Sequence, residues 1–283
     1  MLIRTNGNGS QRPHSILLYP KTGMDMGSTI APPHALLTVA APILKAGYNV
    51  KLLDQRVESI TEPILRDLIT SDCLAVGIST MSGTQVAFAL GLAKLVRKVA
   101  PHVPIVWGGC HPSVAPEQTV AHPLVDVVAV GEGDNTMLEI LDALSAKRSL
   151  CHVPGILYKD GPQVVKTLPR PLLNVEELLP TPWELVDPEA YIHRDMYIRE
   201  RQRVLDIGQT SRGCPFDCAF CSSASIRERR WRAQSTERVI DDLKMAISRF
   251  NLDGWWWRDD EFYIKRKRAN AIFEAIVREG IDG

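Results

Sequence analysis

The sequence predicts an α/β protein in which a parallel sheet with helices on both faces precedes the start of a second α/β domain. Short, almost continuously apolar runs alternate with helical stretches over residues 12–148, which is typical of strands buried on both faces. A proline-rich stretch then leads to a second strand–helix–strand–helix series over residues 204–283. The length of 283 residues is consistent with two domains.

Five strands are predicted in the first domain, most of them followed by a helix. The predicted strands are residues 15–20, 49–54, 73–80, 104–109 and 125–133, and the predicted helices are residues 34–48, 62–71, 84–100 and 135–146. This series indicates a flavodoxin-like or Rossmann-like sheet, which binds ligands at the carboxyl ends of its strands.

Residues 149–203 are predicted to form a connector. Residues 155–167 are typical of a hairpin, with one short strand on each side of "KDGP". The many prolines of residues 168–191 indicate an irregular segment that runs over the surface. No spacing typical of a catalytic or metal site is found here, so no chemistry is assigned to the connector.

The second domain is predicted to open as a (β/α) barrel. Its predicted elements are a strand at 203–208, a helix at 235–250 with Ser235 or Thr236 near its N-cap, a strand-like stretch within 254–264 and a helix at 267–280. In such barrels the active site lies at the carboxyl ends of the strands. Three successive tryptophans, Trp255 to Trp257, cannot all face one side of a strand, so at least one is expected to pack outward or to line a cavity.

The charge and composition argue against several classes of function. Lys plus Arg equal Asp plus Glu at 33 each, so net charge gives no case for a nucleic-acid or anionic-membrane partner. The basic runs at 227–232 and 265–268 are interpreted as solvated surface. No apolar stretch is long enough for a membrane span and no signal peptide is recognised, so the expected compartment is the cytoplasm. Thiols stay reduced there, and clustered cysteines then indicate a metal site or catalysis.

Small and polar residues follow three neighbouring strands of the predicted sheet. The candidates are Ser79 and Thr80 after the third strand, Gly108, Gly109 and His111 after the fourth, and Gly131, Glu132 and Gly133 after the fifth. Glycines and hydroxyl groups let a large flat ligand approach the backbone and form hydrogen bonds, although glycines here can also be plain turn residues. The chain has no G-x-x-x-x-G-K-[ST] motif and no G-x-G-x-x-G after the first strand, which argues against the usual nucleotide sites.

The same loops resemble those of a known family. "GISTM" (77–81), "VWGGCHPS" (106–113) and "VAVGEG" (128–133) resemble the cobalamin-binding domain that precedes many radical S-adenosylmethionine (radical SAM) enzymes. The resemblance implies that the serine loop and the paired glycines surround the nucleotide tail of cobalamin. Related domains also carry D-x-H-x-x-G after the first strand, with a cobalt-ligating histidine, whereas this chain has "KTGMDMG".

This departure implies that bound cobalamin would receive no histidine ligand from the first loop. His111 is the nearby candidate ligand by motif, but a loop histidine before proline is more often a packing or hydrogen-bonding residue. Cys110 is expected to be a small buried residue.

Three cysteines, Cys214, Cys218 and Cys221, form a C-x3-C-x2-C pattern after the predicted strand at 203–208. The spacing differs from the C-x2-C pairs of zinc fingers. Thiolates are the ligands of iron–sulfur clusters, and three of them leave one iron of a [4Fe-4S] cluster open. An open coordination position is what a catalytic metal site needs. A different metal site or a chance cysteine cluster are the alternatives.

"CPFDCAFC" resembles the motif that defines radical SAM enzymes. The resemblance implies that S-adenosylmethionine (SAM) binds the open iron and is cleaved to a 5′-deoxyadenosyl radical, with Phe220 against its adenine. Relatives hold the methionine amino group with a motif after the second barrel strand, which makes Asp259, Asp260 and Glu261 candidates. These acids depart from the family's "GGE" form, and they can instead be acids of a solvated loop.

The resemblance implies a radical SAM enzyme with cobalamin as its second cofactor. The expected reaction is methylation or cyclisation of an unactivated carbon, with methylation favoured. A radical SAM enzyme with a B12-free front domain and a non-catalytic cobalamin-binding or interaction module are the alternatives. The expected partners are a small-molecule or natural-product substrate and an electron donor such as flavodoxin or ferredoxin. Only two strand–helix units are found where the family barrel usually has six, so the catalytic domain is expected to be a fragment; a barrel completed by a partner and a degenerate domain are the alternatives.

Overall fold

The computed structural model describes residues 13–26, 30–194 and 200–281. It divides into two compact units. The first comprises Met1–Asp25, Ala35–Leu172 and Leu179–Val186, and the second comprises Met26–His34, Leu173–Leu178 and Asp187–Gly283. Residues 27–29 of the "KTGMDMGST" loop and 195–199 of the expected connector lie outside the described residues.

A seven-stranded sheet forms the first unit, in the order β2-β1-β3-β4-β5-β6-β7. Its strands are β1 His14–Tyr19, β2 Asn49–Asp54, β3 Cys73–Ser79, β4 Ile105–Gly108, β5 Val127–Ala129, β6 Ile156–Asp160 and β7 Gln163–Lys166. Strands β1 to β5 are parallel, while β6 pairs antiparallel with β5 and β7 antiparallel with β6. The predicted α/β class with a mainly parallel sheet is confirmed.

The helices of this part of the chain are α1 His34–Lys45, α2 Glu62–Leu68, α3 Thr84–Val99, α4 Cys110–Val114, α5 Pro116–Ala121 and α6 Asp134–Ser145. Helix α3 shows why they form: its buried residues Ala89, Leu92, Ala93 and Val96 fall on one stripe at helical spacing. That stripe packs in one core cluster with Ile16 and Leu18 of β1 and with Ile78 of β3. Burial of each leucine, isoleucine or valine side chain in this cluster contributes about 1.5–3 kcal/mol.

Two features of this unit differ from the sequence-based expectation. No helix is predicted directly after β4, but the chain forms the short helices α4 and α5 there. The hairpin is predicted as part of the connector, but β6 extends the sheet because its Ile156, Leu157 and Tyr158 are buried while they pair with β5. Alternating apolar residues predict the hairpin itself, but its docking partner is a distant strand that local sequence does not specify.

The strands of the second unit are β8 Val204–Asp206, β9 Ser211–Arg212, β10 Arg232–Ala233 and β11 Gly254–Trp256, and its helices are α7 Ser223–Arg227, α8 Thr236–Phe250 and α9 Arg266–Arg278. Of these, β8, α8, β11 and α9 form a strand–helix–strand–helix series. Strands β8 and β11 are parallel, and β9 and β10 form a short antiparallel ladder. This is the expected opening of a (β/α) barrel.

Helix α8 begins and ends at the residues that its sequence indicates. The Ser235 side chain caps its first turn by accepting a hydrogen bond from the Arg238 N–H, and Asn251 closes it in the left-handed conformation. Its buried side chains Val239 and Ile240 pack against Ile272 of α9. Of the three tryptophans, Trp256 is the exposed one, which agrees with the expectation that at least one packs outward.

Candidate functional site

The first candidate site is the edge of the first unit where β3, β4 and β5 end. The N–H of Thr80, just after β3, donates to the carbonyl of Gly108 at 2.8 Å. The His111 N–H donates back to the Thr80 carbonyl at 3.0 Å. The sequence predicts that these residues lie on neighbouring loops, and the structure bonds the two loops to each other through their backbones.

Gly109 lies so close to the β3 loop that no side chain fits there. A Cβ on Gly109 would lie 2.8 Å from the Thr80 carbonyl oxygen and 3.0 Å from the Thr80 nitrogen. Its φ of +99° is also a conformation that favours glycine. The glycine is therefore required by the close approach of two loops, which is more than turn chemistry.

Ser113 is a site residue that sequence reasoning missed. Its hydroxyl donates to the Gly109 carbonyl at 2.7 Å and accepts the N–H of Gly131 at 2.9 Å, so one side chain joins the loops after β4 and β5. The signal in the sequence is its position four residues after Gly109, where a helical serine can bond back to a carbonyl. A Cβ on Gly131 would meet nothing within 4 Å, so that glycine borders open space.

The Thr80 hydroxyl is the clearest sign that this edge can receive a ligand. Thr80 is fully buried, and its Oγ1 has no hydrogen-bond partner among the described residues. Buried hydroxyl groups in folded proteins are nearly always satisfied. A polar ligand atom that reached this position would satisfy it. A glycine-lined edge with such a hydroxyl group therefore fits the polar tail of a large cofactor such as cobalamin.

The remaining residues of this edge are placed as follows. Glu132 is buried and its carbonyl accepts from the Thr136 hydroxyl, and Gly133 lies beside the Val39 side chain. The His111 Nδ1 lies 3.2 Å from the Ser82 hydroxyl, as a hydrogen-bonding role requires. The expectation that Cys110 is buried is wrong: it is exposed, because it begins helix α4.

The loop after β1 is closed upon itself. The Asp25 carboxylate accepts from the Thr22 N–H at 2.9 Å, from the Thr22 hydroxyl at 2.6 Å and from the Gly23 N–H at 3.2 Å. Gln85, a buried residue that sequence reasoning did not single out, ties this loop to the next one: it donates to the Pro20 carbonyl and accepts from the Met81 N–H. Asp25 is thus occupied in shaping the loop.

The second candidate site is the loop that carries Cys214, Cys218 and Cys221. Cys214 is half-buried, whereas Cys218 and Cys221 are exposed. Phe220 is also almost fully exposed, at 93%. In the described ranges, no three His, Cys, Asp or Glu side chains are gathered as a metal site. The structure therefore brings the three cysteines onto one accessible loop without gathering them into a formed ligand set.

The contacts inside this loop agree with thiolate ligands. The Cys221 N–H donates to the Cys218 carbonyl at 2.9 Å, and the Ser223 N–H points at the Cys221 sulfur at 3.4 Å. N–H groups directed at cysteine sulfur stabilise a thiolate and tune the potential of an iron–sulfur cluster. The donor set fits a cluster held by three cysteines.

The acids after β11 bond to the backbone and hydroxyl groups beside this loop. Asp259 accepts from the Thr210 hydroxyl at 3.0 Å and from the Ser211 hydroxyl at 2.5 Å, and burial raises its pKa despite these bonds. Asp260 accepts from the Gly213 N–H at 2.9 Å and from the Ser223 hydroxyl at 3.4 Å. Barrel topology predicts these acids near the cysteines, and the structure brings them there.

Glu261 makes more local contacts. Its carboxylate accepts from the Tyr263 N–H at 3.0 Å, and its carbonyl accepts from the Trp231 indole at 3.1 Å. This second contact attaches the basic run at 227–232 to the segment after β11.

Gly213, just before the first cysteine, packs directly on that basic run. A Cβ on Gly213 would lie 2.3 Å from the Arg230 carbonyl oxygen, and its φ is +86°. Arg229 forms a 2.6 Å ion pair with Asp217 inside the cysteine loop, and both side chains are more than half exposed. The interpretation of this run as solvated surface is therefore incomplete, because part of it packs against and pairs with the cysteine loop.

Asp206, at the end of β8, is a buried acid that sequence reasoning did not single out. It accepts from the Gly208 N–H at 2.9 Å, lies 3.0 Å from Nε2 of His34 and pairs with Arg258. Burial alone would raise the pKa of this carboxyl, but its bonds to His34 and Gly208 and the Arg258 charge outweigh it, so the pKa is lowered. The ionised acid fixes the start of the segment that leads to the cysteines.

The B12 binding domain family matches residues 27–141. Among curated proteins, the chain is 34% identical over 257 residues to the uncharacterized methyltransferase PH0819 of Pyrococcus horikoshii, covering 90% of this chain and 54% of that protein. It is 27% identical over 271 residues to the anaerobic magnesium-protoporphyrin IX monomethyl ester cyclase of a Synechocystis strain, covering 93% and 52%.

A solved structure shares the fold. The radical S-adenosylmethionine methyltransferase TsrM of Kitasatospora setae, with cobalamin and a [4Fe-4S] cluster bound, superposes with a TM-score of 0.72 at 17% identity, over 95% of this chain and 51% of that one. The fold and these matches define a protein with a B12-binding domain. Residues 27–141 belong to the B12 binding domain family, and the chain is similar over most of its length to cobalamin-dependent radical SAM enzymes, as the resemblance of its motifs implied.

The chain spans about half the length of the curated relatives it matches. No helix within the described ranges is long and apolar enough to cross a membrane.

Proposed function

We propose that this chain provides the cofactor-binding portion of a cobalamin-dependent radical SAM enzyme that methylates an unactivated carbon of a small-molecule or natural-product substrate. The observation that carries the proposal is the exposed three-cysteine loop at the carboxyl end of a barrel-like strand, pinned by the acids that follow the next strand. When bound, the cluster and SAM supply a 5′-deoxyadenosyl radical and cobalamin supplies a methyl group.

In this proposal the thiolates of Cys214, Cys218 and Cys221 hold three irons of a [4Fe-4S] cluster and leave the fourth to SAM. Phe220 offers an exposed ring for the adenine. The segment Asp259–Glu261 receives the methionine amino group. Its position after β11 and its bonds to the residues around the cysteine loop support that placement.

At the first site, Ser79, Thr80, Gly108 and Gly109 are proposed to receive the nucleotide tail of cobalamin, together with the segment 131–133. The buried, unbonded Thr80 hydroxyl and the open space beside Gly131 support this role. His111 bonds to a neighbouring hydroxyl, so we assign it to positioning in preference to cobalt ligation. The loop after β1 offers its aspartate to its own backbone and carries no histidine ligand.

A radical SAM enzyme with a B12-free front domain is the second candidate, and the missing histidine motif after β1 favours it. Cyclisation is the alternative reaction, since one relative is named as a cyclase. A non-catalytic cobalamin-binding or interaction module is the third candidate. The proposed electron source is a one-electron donor such as flavodoxin or ferredoxin, and the proposed compartment is the cytoplasm.

The test is anaerobic reconstitution with iron and sulfide, followed by iron counting and electron paramagnetic resonance with and without SAM. We expect about four irons per chain and a spectrum that SAM changes. Cys218→Ala should lose the cluster, and Cys151→Ala, which removes an exposed thiol outside the loop, should keep it.

Cobalamin is tested separately by its visible absorbance after gel filtration. Retention of cobalamin by both Cys218→Ala and Cys151→Ala supports two independent cofactor sites. Retention of iron without cobalamin favours the B12-free candidate, and cobalamin without iron favours the non-catalytic module.

A further inference from the structure

We propose that Asp260 is a positioning residue that closes the cysteine loop, so that its carboxylate acts on the cluster ligands through the backbone. This inference rests on the proposed iron–sulfur function. It gives the Asp260 side chain a role in shaping the cysteine loop in place of a role in binding the amino group of SAM.

The carboxylate of Asp260 meets both ends of the loop. Its Oδ2 accepts from the Gly213 N–H at 2.9 Å, and Gly213 directly precedes Cys214. The same oxygen lies 3.4 Å from the hydroxyl of Ser223, two residues after Cys221. One atom thus joins the two ends of the segment that contains all three cysteines.

Asp259 holds the chain just before this segment. It accepts from Thr210 and from both the N–H and the hydroxyl of Ser211, so it fixes β9. The two neighbouring acids therefore have separate roles, since Asp259 fixes the strand and Asp260 fixes the loop. The backbone of Gly213 is held from the other side by the close approach of the Arg230 carbonyl.

Closure matters because the loop is otherwise free to spread. Cys218, Phe220 and Cys221 are exposed, so few packing contacts hold them in place. Bringing three thiolates onto one cluster costs the conformational entropy of the intervening residues. A bond across the loop ends lowers that cost before iron arrives, as partners behind metal ligands do elsewhere. The negative charge of Asp260 beside the loop also favours the oxidised cluster.

The test compares Asp260→Ala and Asp260→Asn with Asp241→Asn, a control acid exposed on α8. In the protein without iron, hydrogen exchange of the segment 213–223 should accelerate in Asp260→Ala. In the reconstituted protein, iron loss to a chelator should be about tenfold faster, the lower end for residues that support metal ligands. The control should match the parent protein in both measurements.

Asp260→Asn separates closure from charge. Its amide oxygen can still accept from Gly213, so hydrogen exchange and iron loss should stay closer to the parent protein, while the midpoint potential of the cluster rises. A loss of SAM affinity in Asp260→Asn with unchanged iron retention and potential would overturn the inference and return Asp260 to the SAM site. Parent-like behaviour of Asp260→Ala would overturn it as well.

The two proposals fail in different ways. If the parent chain binds no cluster, the proposed function fails, while the exchange measurement on the iron-free chain still decides whether Asp260 closes the loop. Ser223→Ala, which removes the longer contact alone, gives a milder second variant should Asp260→Ala fold poorly. We expect its exchange to lie between those of the parent and Asp260→Ala, and parent-like exchange in both would refute closure.

Discussion

The loops at the edge of the first unit are bonded to one another, whereas the cysteine loop of the second unit is bonded mainly at its ends. At the edge, Thr80, Gly109 and Ser113 connect three successive loops through backbone and hydroxyl contacts. In the cysteine loop, Asp260 holds the ends and the middle is exposed. A site for a large preassembled cofactor can be shaped in advance, but ligands of a cluster gather around the metal itself.

The largest expected effect comes from Gly109→Ala. The new methyl group would collide with the Thr80 backbone and force a φ of +99° on a residue with a side chain. We expect a loss of about 1–3 kcal/mol in the free energy of unfolding from strain alone, together with loss of cobalamin retention. Denaturant unfolding of the chain measures the first, and absorbance after gel filtration measures the second.

Gly91→Ala is the matched control for that substitution. Gly91 lies inside α3 with nothing within 4 Å of a Cβ, so alanine there should be neutral or stabilising by about 0.5–1 kcal/mol. Equal stability of both variants would show that the loops at this edge separate easily. The contrast between this bonded edge and the cysteine loop would then disappear.

Ser113→Ala should have the next largest effect. It removes one hydrogen bond to Gly109 and one from Gly131, each worth about 0.5–1.5 kcal/mol. Hydrogen exchange should report faster opening of the Gly131 amide in particular. Gln118→Ala, an exposed change on the neighbouring helix, should change stability by less than about 0.5 kcal/mol. A parent-like Gly131 amide in Ser113→Ala would mean that the bridge is dispensable.

Asp206 gives the second unit a pH dependence. Because its folded pKa is lowered, its contribution to stability is present above the unfolded value, near 3.8, and is lost as the pH falls through the folded value. Asp206→Asn should therefore flatten the acid limb of stability against pH, followed by tryptophan fluorescence. An acid limb of unchanged slope in the variant would assign the pH dependence to other carboxylates.

The smallest effect is expected from Arg229→Ala. The Arg229–Asp217 pair joins the basic run to the middle of the cysteine loop, but it is exposed, so it contributes at most about 1 kcal/mol. Iron loss to a chelator should change by less than about fivefold, in contrast to the larger change expected for Asp260→Ala. If both variants lost iron equally fast, the middle of the loop would matter as much as its ends.

Much of the fold can be predicted from local patterns. The apolar runs predict β2 at its observed bounds, and the capping pattern predicts the start of α8. The loop helices α4 and α5 escape prediction because they are only five and six residues long and each contains a proline, so they show no helical periodicity. Ser113 and Asp206 escape it because their bridging roles depend on partners distant in sequence, Gly131 and His34 respectively.

For the site residues too, local sequence predicts some features and tertiary contacts determine the others. Spacing alone selects the three cysteines, because thiolate chemistry limits what such a pattern can do. Barrel topology places the acids after β11 near them, but the bonds of these acids to Gly213 and Ser211 depend on distances that a sequence does not contain.

The hairpin of β6 and β7 also decides which strand forms the edge of the described sheet opposite β2. Without it, β5 would present the apolar sequence of Val127 to Ala129 as an open edge, and such edges pair with other chains. With it, the border is β7, which is largely exposed and ends at Lys166, paired with Glu117. A version of this unit cut at residue 148 would therefore tend to aggregate, and one that extends past Lys166 would stay dispersed.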